Sequence, residues 1–238
     1  MKIEEVSEDT MTITFDYAVS EENCKRLITF LESLRPLKFE GITDYSVSYT
    51  KLMIYYDPMI IESSDIEEAI RKINADEYQT PLKKKRIIEI PVCYDDEFGL
   101  DLNRYYEEGL TIEQIQTLHT EREYYVYMIG FLPGFPYLNG VNDKLKMPRK
   151  ETPRTRIPKG SVGIAGSQTG FYPTSSPGGW NIIGRTPLNI GIEDNTLNVP
   201  YRAGDYIKFK PINSATFDEI EKQVNQGTFN INIEERGV

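Results

Sequence analysis

Met11-Thr12-Ile13-Thr14-Phe15 alternates apolar and polar side chains with the two-residue period of a half-buried strand. Ser20 then offers a helix N-cap, and Glu21 and Glu22 place negative charge where a helix N-terminus favours it. Cys24, Leu27, Ile28, Leu31 and Leu34 follow at helical spacing until Pro36 ends the run. Residues 42–50 and 52–56 read as two adjacent strands. A second helix is capped near Ser63 or Ser64, with Ile66, Ala69, Ile70 and Ile73 on one face. Residues 87–92 form the next apolar run. The order βαββαβ predicts a ferredoxin-like α/β sandwich over residues 1–86. The basic run Lys83-Lys84-Lys85-Arg86 marks the boundary with a second domain, residues 87–238.

Beyond that boundary the pattern changes. Thr111-Ile112-Glu113-Gln114 has the form of a capping box, predicting a short helix to about Leu118. Residues 124–129 are strand-like. Turn residues then recur every few positions as far as Pro187, with short apolar segments between them. Residues 197–199 and 206–209 read as closing strands, and Thr216 with Glu219 caps a last helix. Many short strands joined by Gly/Pro turns predict a β-barrel or sandwich, so the chain as a whole reads as α+β.

Charge adds an asymmetry to this picture. The 238 residues carry a formal net charge of -10, which argues against general nucleic-acid binding. Between Met128 and Gly191, however, eight Lys or Arg face only Asp143 and Glu151, giving that stretch +6 and the remainder -16. The same stretch holds eleven of the seventeen Gly and eight of the fourteen Pro. A basic, turn-rich patch in an acidic chain suits an anionic ligand or an acidic partner surface; a solvated basic loop is the alternative. Cys24 and Cys93 lie far apart, as buried thiols of a reducing compartment do. The acidic start, Met1-Lys2-Ile3-Glu4-Glu5, does not resemble a signal peptide, and no apolar run reaches membrane-spanning length. The expectation is a cytoplasmic protein without a membrane partner.

Several chemistries are set aside by what the sequence lacks. One histidine and two scattered cysteines do not make a usual zinc site, so no metal is expected. No Walker A pattern or GxSxG elbow is present, and the glycines of residues 160–166 have neither GxGxxG spacing nor a surrounding βαβ unit. What remains is dense in Gly, Pro, aromatic and basic residues. The loop Gly130-Phe131-Leu132-Pro133-Gly134-Phe135-Pro136-Tyr137-Leu138 is too proline-rich to be helical. It reads either as a rigid contact surface carried by Phe131, Pro133, Phe135 and Pro136, or as a buried structural turn. Arg154 lies in a Pro-spaced basic run, and guanidinium groups clamp carboxylates with two parallel bonds. Gln168, Tyr172 and Arg185, with the only tryptophan, Trp180, lie on Gly-flanked turns where they could orient a small amide or carboxylate. The single histidine, His119, is either a satisfied structural residue or a general base or amide-polarising donor.

Ile90-Pro91-Val92-Cys93-Tyr94 with Glu97-Phe98-Gly99, the GFLPGFPYL loop, the PRTRIP run, GSVGIAGSQTGFYP and SPGGWNIIGRTP together resemble the KipI family, also called allophanate hydrolase subunit one or the B-type subunit of 5-oxoprolinase. The similarity is strong from about residue 88 to 187 and mainly topological before residue 80. It implies a ferredoxin-like domain followed by a cyclophilin-like β-barrel. It also implies a KipA-type partner (the C-type subunit of 5-oxoprolinase) and a LamB/YcsF-type subunit, which together complete an ATP-dependent 5-oxoprolinase that opens 5-oxoproline to glutamate. ATP would be used by the complex, with no cofactor bound by this chain. Within such an enzyme, Arg154 or Arg185 would meet the substrate carboxylate, Gln168 or Tyr172 the lactam, and His119 would aid proton transfer, with Trp180 beside them. Some members of the family instead inhibit a sensor histidine kinase through the C-terminal domain, an alternative in which the residue 131–138 loop would be the contact surface. The chain keeps the family pattern at His119, Arg154, Gln168, Tyr172, Trp180 and Arg185. It departs from it at Asn181 and in a short turn over residues 190–195.

Overall fold

A computed structural model describes residues 1–37, 39–72, 84–193 and 195–237. The chain divides into two units, Met1–Lys85 and Arg86–Arg236. In the first, strands β1 (Lys2–Ser7) and β2 (Thr10–Thr14) form a hairpin, helix α1 (Glu21–Leu34) follows, and β3 (Ile42–Ser48) and β4 (Lys51–Tyr56) form a second hairpin before helix α2 (Ser63–Lys72). The α1 cap is as the sequence indicates: the Ser20 hydroxyl accepts from the Asn23 amide at 3.1 Å. Cys24, Leu27, Ile28, Phe30, Leu31 and Leu34 are buried on that helix. Leu27, Phe30, Leu31 and Leu34 pack with Ile66 and Ile70 of α2 over Met11, Ile13, Leu52 and Ile54 of the sheet. Ile73 lies outside the described residues.

The sheet is antiparallel in the order β1-β2-β4-β3, and this departs from the predicted βαββαβ sandwich. The expected last strand, residues 87–92, does not join it; the edge beside β2 is filled by β1. Ile87, Ile88, Ile90 and Val92 are all buried, so that segment has no solvent face to offer a small two-layer sheet. In β1 only Ile3 is even half-buried, and no alternation announces it as a strand.

The second unit begins with β5 (Lys84–Cys93), then α3 (Leu102–Glu107), α4 (Ile112–Thr120), β6 (Tyr124–Ile129) and β7 (Pro136–Asn139). After these come β8 (Arg154–Ile157), β9 (Ser161–Ala165), β10 (Gln168–Phe171), β11 (Ser176–Gly178) and β12 (Asn181–Arg185). The chain then forms β13 (Gly191–Glu193), β14 (Thr196–Asn198), β15 (Tyr206–Ile212), α5 (Ser214–Asn225) and β16 (Ile233–Gly237). Seven strands close a ring in the order β12-β9-β10-β7-β6-β15-β5, with β16 outside β5. The seam is the pairing of Arg185 on β12 with Cys93 on β5. Side chains alternate across this wall. Ile88, Ile90, Val92, Val126, Leu138, Val162, Ile164, Phe171, Ile183, Ile207 and Phe209 belong to one continuous core. Ala165, Tyr172 and Ile182 face the other way, into a separate cluster with Phe135, Ile157 and Trp180.

The capping box on α4 is present, with Thr111 accepting from Gln114 and Gln114 accepting from the Thr111 amide. The helix runs two residues further than the sequence indicates, which carries His119 into its last turn. Asn213, not Thr216, caps α5, its side chain accepting from the Thr216 amide at 2.9 Å. Residues 196–198 do not close the barrel. Among the described residues they pair only with β13, in a two-stranded hairpin outside it. No helix among the described residues is long and apolar enough to cross a membrane.

Candidate functional site

The basic, aromatic segment folds onto the outer wall of the barrel, over β7, β10, β9 and β12. Gly170 of β10 and Gly163 of β9 stand directly opposite each other, and Trp180 lies across them. A Cβ at Gly170 would meet the Pro136 carbonyl, the Phe135 ring at 3.3 Å and the Trp180 ring at 3.4 Å; one at Gly163 would meet the Trp180 Cβ at 3.2 Å. The two glycines therefore supply the trough that the indole fills. Phe135 meets Tyr172 and Trp180 edge-on, each at 5.2 Å between ring centroids, as aromatic quadrupoles favour. The exposed Arg149 guanidinium lies 5.9 Å from the centre of the indole.

This packing decides the placement of several expected site residues. Tyr172, Trp180, Phe135 and Pro136 are buried. Burial pushes the Tyr172 phenol up to about 12, and it hydrogen-bonds the Trp180 backbone. These four side chains form the floor of the surface and are not free to reach a ligand or partner. The contact surface expected of the 130–138 loop is thereby narrowed to Phe131 and Pro133, which are exposed. Phe131 is 65% exposed and holds φ at 66°, a left-handed conformation that costs a non-glycine residue about 1–2 kcal/mol.

Arg154 is committed to an acid that sequence reasoning did not single out. Its Nη1 and Nη2 donate to the two carboxylate oxygens of Asp101 at 2.7 and 2.8 Å. Lys150 Nζ donates to the same carboxylate at 2.8 Å, as does the Ile182 amide at 2.8 Å. Asp101 is only 2% exposed. Burial pushes its pKa up, but the bonds from Arg154 and Lys150 and the Ile182 amide outweigh that and hold it below the ordinary carboxylate value. Arg104 next to it donates to Asn181 Oδ1, and Asn181 Nδ2 donates to the carbonyls of Pro148 and Ile164. The cluster ties the start of α3 to β12 and to the 148–154 loop. Asp101 stands just before a helix, where an acid reads as an N-cap, yet it makes no side-chain cap bond; its carboxylate is used across 53 residues instead.

His119 is sealed inside the barrel, fully buried, with its ring stacked on Phe209 at 4.5 Å. Thr169 donates its hydroxyl hydrogen to the Gly163 carbonyl at 3.0 Å, so its oxygen must accept from His119 Nε2, 2.8 Å away. Nδ1 then accepts from the Tyr94 hydroxyl at 2.7 Å. That fixes the neutral Nε2–H tautomer with both nitrogens satisfied. Burial drives its pKa down to about 3. Of the two readings the sequence left open, this geometry is that of a structural histidine, with no nitrogen left for a substrate proton.

Arg185 and Gln168 are half-buried on the outer wall. Gln168 opens β10 opposite Asn139. Arg185 closes the seam; its guanidinium carbon lies 5.3 Å from the centre of the Phe98 ring. Among the described residues its Nε is buried without a hydrogen-bond partner, as is the hydroxyl of Ser161. Ser161 went unremarked in the sequence, although a serine opening the otherwise apolar strand Ser161–Ala165 is the kind of exception that marks a buried polar role.

Residues 1–197 match the family described as the carboxyltransferase domain, subdomain C and D. The chain is 37% identical to the B-type 5-oxoprolinase subunit of Bacillus subtilis (strain 168), over 94% of this chain and 98% of that one. It is 36% identical to the protein of the same name from Haemophilus influenzae, over 88% and 97%. Among solved structures it is similar to TTHA0988, with 33% identity and a TM-score of 0.75; the match covers 86% of this chain and only 40% of that longer one. On this combination of a closed barrel, a matched domain and near full-length relatives, the chain belongs to the carboxyltransferase C and D family, in its KipI-type branch, that of the B-type 5-oxoprolinase subunits.

Proposed function

We propose that the chain is the non-ATP-binding subunit of a multi-subunit ATP-dependent 5-oxoprolinase, acting with KipA-type and LamB/YcsF-type subunits in the cytoplasm. The observation that carries this reading is the near end-to-end similarity to proteins named as B-type subunits of 5-oxoprolinase. Those relatives favour an enzyme subunit over a kinase regulator. The cyclophilin-like description of the barrel belongs to the same reading, and its support is the closure of the seven-stranded ring.

The chemistry explains the need for several subunits. A lactam resists water because its nitrogen lone pair is delocalised into the carbonyl. Transfer of the γ-phosphoryl group of ATP to the carbonyl oxygen makes the carbon electrophilic. Water then adds and the C–N bond breaks with the nitrogen taking a proton, which leaves an acyl phosphate; a second water releases phosphate as the second carboxylate of glutamate forms. The partners supply the nucleotide site. This chain supplies a cationic outer wall on which Arg185 and Gln168 meet the substrate, supported by the Tyr172 and Trp180 floor, while Arg154 and His119 hold the wall and the barrel in shape. Phe131 and Pro133 meet a partner subunit.

The test is ATP-dependent glutamate release from 5-oxoproline by this chain co-expressed with the two partner subunits. Release that requires this chain supports the reading. A well-formed complex that releases none overturns it.

A further inference from the structure

Arg185 and Ser161 stand directly opposite each other on β12 and β9, so their side chains leave the same face of the sheet with Cβ atoms about 4.5–5.5 Å apart. Tyr172 lies just past the end of β10 on the other side of β9, its amide donating to the Ser161 carbonyl at 2.9 Å. Ser161 is completely buried, and its hydroxyl and Arg185 Nε are both buried without a partner. Two uncommitted polar groups side by side are an expensive arrangement, because each forgoes water and gains nothing. Three other half-buried cations of this unit are paired. Arg86, Lys150 and Arg154 each have a buried carboxylate, Asp205 for the first and Asp101 for the other two. Among the described residues Arg185 has none. Its neighbour across the seam, Cys93, is no substitute, because burial pushes that thiol up to about 11 and keeps it neutral.

We infer that Arg185 and Ser161 form a two-donor subsite for the carboxylate of a small ligand. One carboxylate oxygen accepts from Arg185 Nε–H and the other from the Ser161 hydroxyl, and the guanidinium supplies the compensating charge. The planar, singly charged carboxylate matches two donors on adjacent strands; a phosphate, with three oxygens and more charge, would leave acceptors unmet. Phe98 beside the guanidinium is the cover the ligand moves. The subsite rests on the oxoprolinase reading for its ligand, the carboxylate of 5-oxoproline, and adds Ser161 to the site.

The test follows the Arg185 Nε–H signal by proton–nitrogen NMR in the full chain, assigned by its loss in Arg185→Lys. Titration with 5-oxoproline is expected to move that signal saturably, and 2-pyrrolidinone, the same lactam without the carboxylate, is expected not to. Ser161→Ala should weaken binding about 3- to 10-fold, the value of one hydrogen bond, and Arg185→Lys about 10-fold or more. A signal that ignores 5-oxoproline, or answers equally to 2-pyrrolidinone or to chloride, overturns the subsite. Turnover of 5-oxoproline by the complex without any Arg185 shift would discard the subsite and keep the enzyme reading. A saturable shift in a complex that turns over no 5-oxoproline would keep the carboxylate subsite and discard that reading.

Discussion

His119 Nε2 lies 2.8 Å from Thr169 Oγ1 inside the barrel, a bond that joins the last turn of α4 to the inner face of β10 across 50 residues of sequence. With Tyr94 on the other nitrogen, the imidazole acts as a neutral strut between three elements.

The strut gives the fold a pH dependence of definite sign. The native pKa is driven from an ordinary 6.5 to about 3, so between those values the unfolded chain binds a proton that the native chain does not. Stability is then full above about pH 6.5 and falls as pH drops toward 3, by about 1.4 kcal/mol per pH unit at most. Urea unfolding at pH 7 and pH 4.5 should show a loss of about 2–3 kcal/mol from this group. His119→Gln should flatten that dependence while costing about 1–3 kcal/mol at pH 7, because it leaves Tyr94 or Thr169 without its partner. Unchanged pH dependence in the variant would mean the histidine is not the group responsible.

The Asp101 clamp should behave as a unit. Asp101→Asn is expected to destabilise the chain by about 2–3 kcal/mol, below the ~3–5 of a fully sealed pair because Lys150 and Arg154 keep some contact with water. A double-mutant cycle with Arg154→Met should show coupling of more than about 0.5 kcal/mol. Additive losses would show that the two groups do not depend on one another.

Gly170→Ala tests the trough beneath the indole. Its new methyl group meets the Pro136 carbonyl and two rings, for an expected loss of about 1–3 kcal/mol. Trp180 is the sole tryptophan, so its fluorescence should shift to the red as the indole is lifted toward solvent. A native emission spectrum with full stability would mean the trough has slack.

Phe131→Gly should do the opposite to stability. It removes an exposed ring and relieves a positive φ, so the isolated chain should gain up to about 1 kcal/mol in thermal unfolding. Assembly with the partner subunits should weaken in the same variant. A stability gain with unaltered assembly would remove Phe131 from the contact surface.

Local signals in the sequence were legible where local physics decides. The Ser20 cap and the Thr111–Gln114 capping box each involve groups three residues apart, and both are found in place. The concentration of the candidate site between Gly130 and Arg185 was legible because turn residues and charge cluster there. The allegiance of β5 reads both ways, as the last strand of the first sheet and as the opening of the second domain, since a strand buried on both faces reads alike in either. The difference between Arg154 and Arg185 was not legible. Both are arginines within the same Gly/Pro-rich segment, and only a partner 53 residues away, Asp101, shows that one is spent. The burial of Trp180 depends on two glycines facing each other across strands, a register that no single segment records.

The parallel pairing of β5 with β15, Tyr206 beside Ile87, bears on how the molecule comes to exist. The barrel's first strand meets this neighbour only after most of the second unit has been made; the Arg86–Asp205 ion pair at that junction spans 119 residues. Until then a segment apolar on both faces has neither of its ring neighbours, because β12 on its other side also lies far downstream. Such long-range closure slows folding and leaves an unpaired strand open to association with other chains. During synthesis, therefore, the hazardous interval for this protein is the time between the emergence of β5 and that of β15, and a chaperone or a slower rate of translation would act there to most effect.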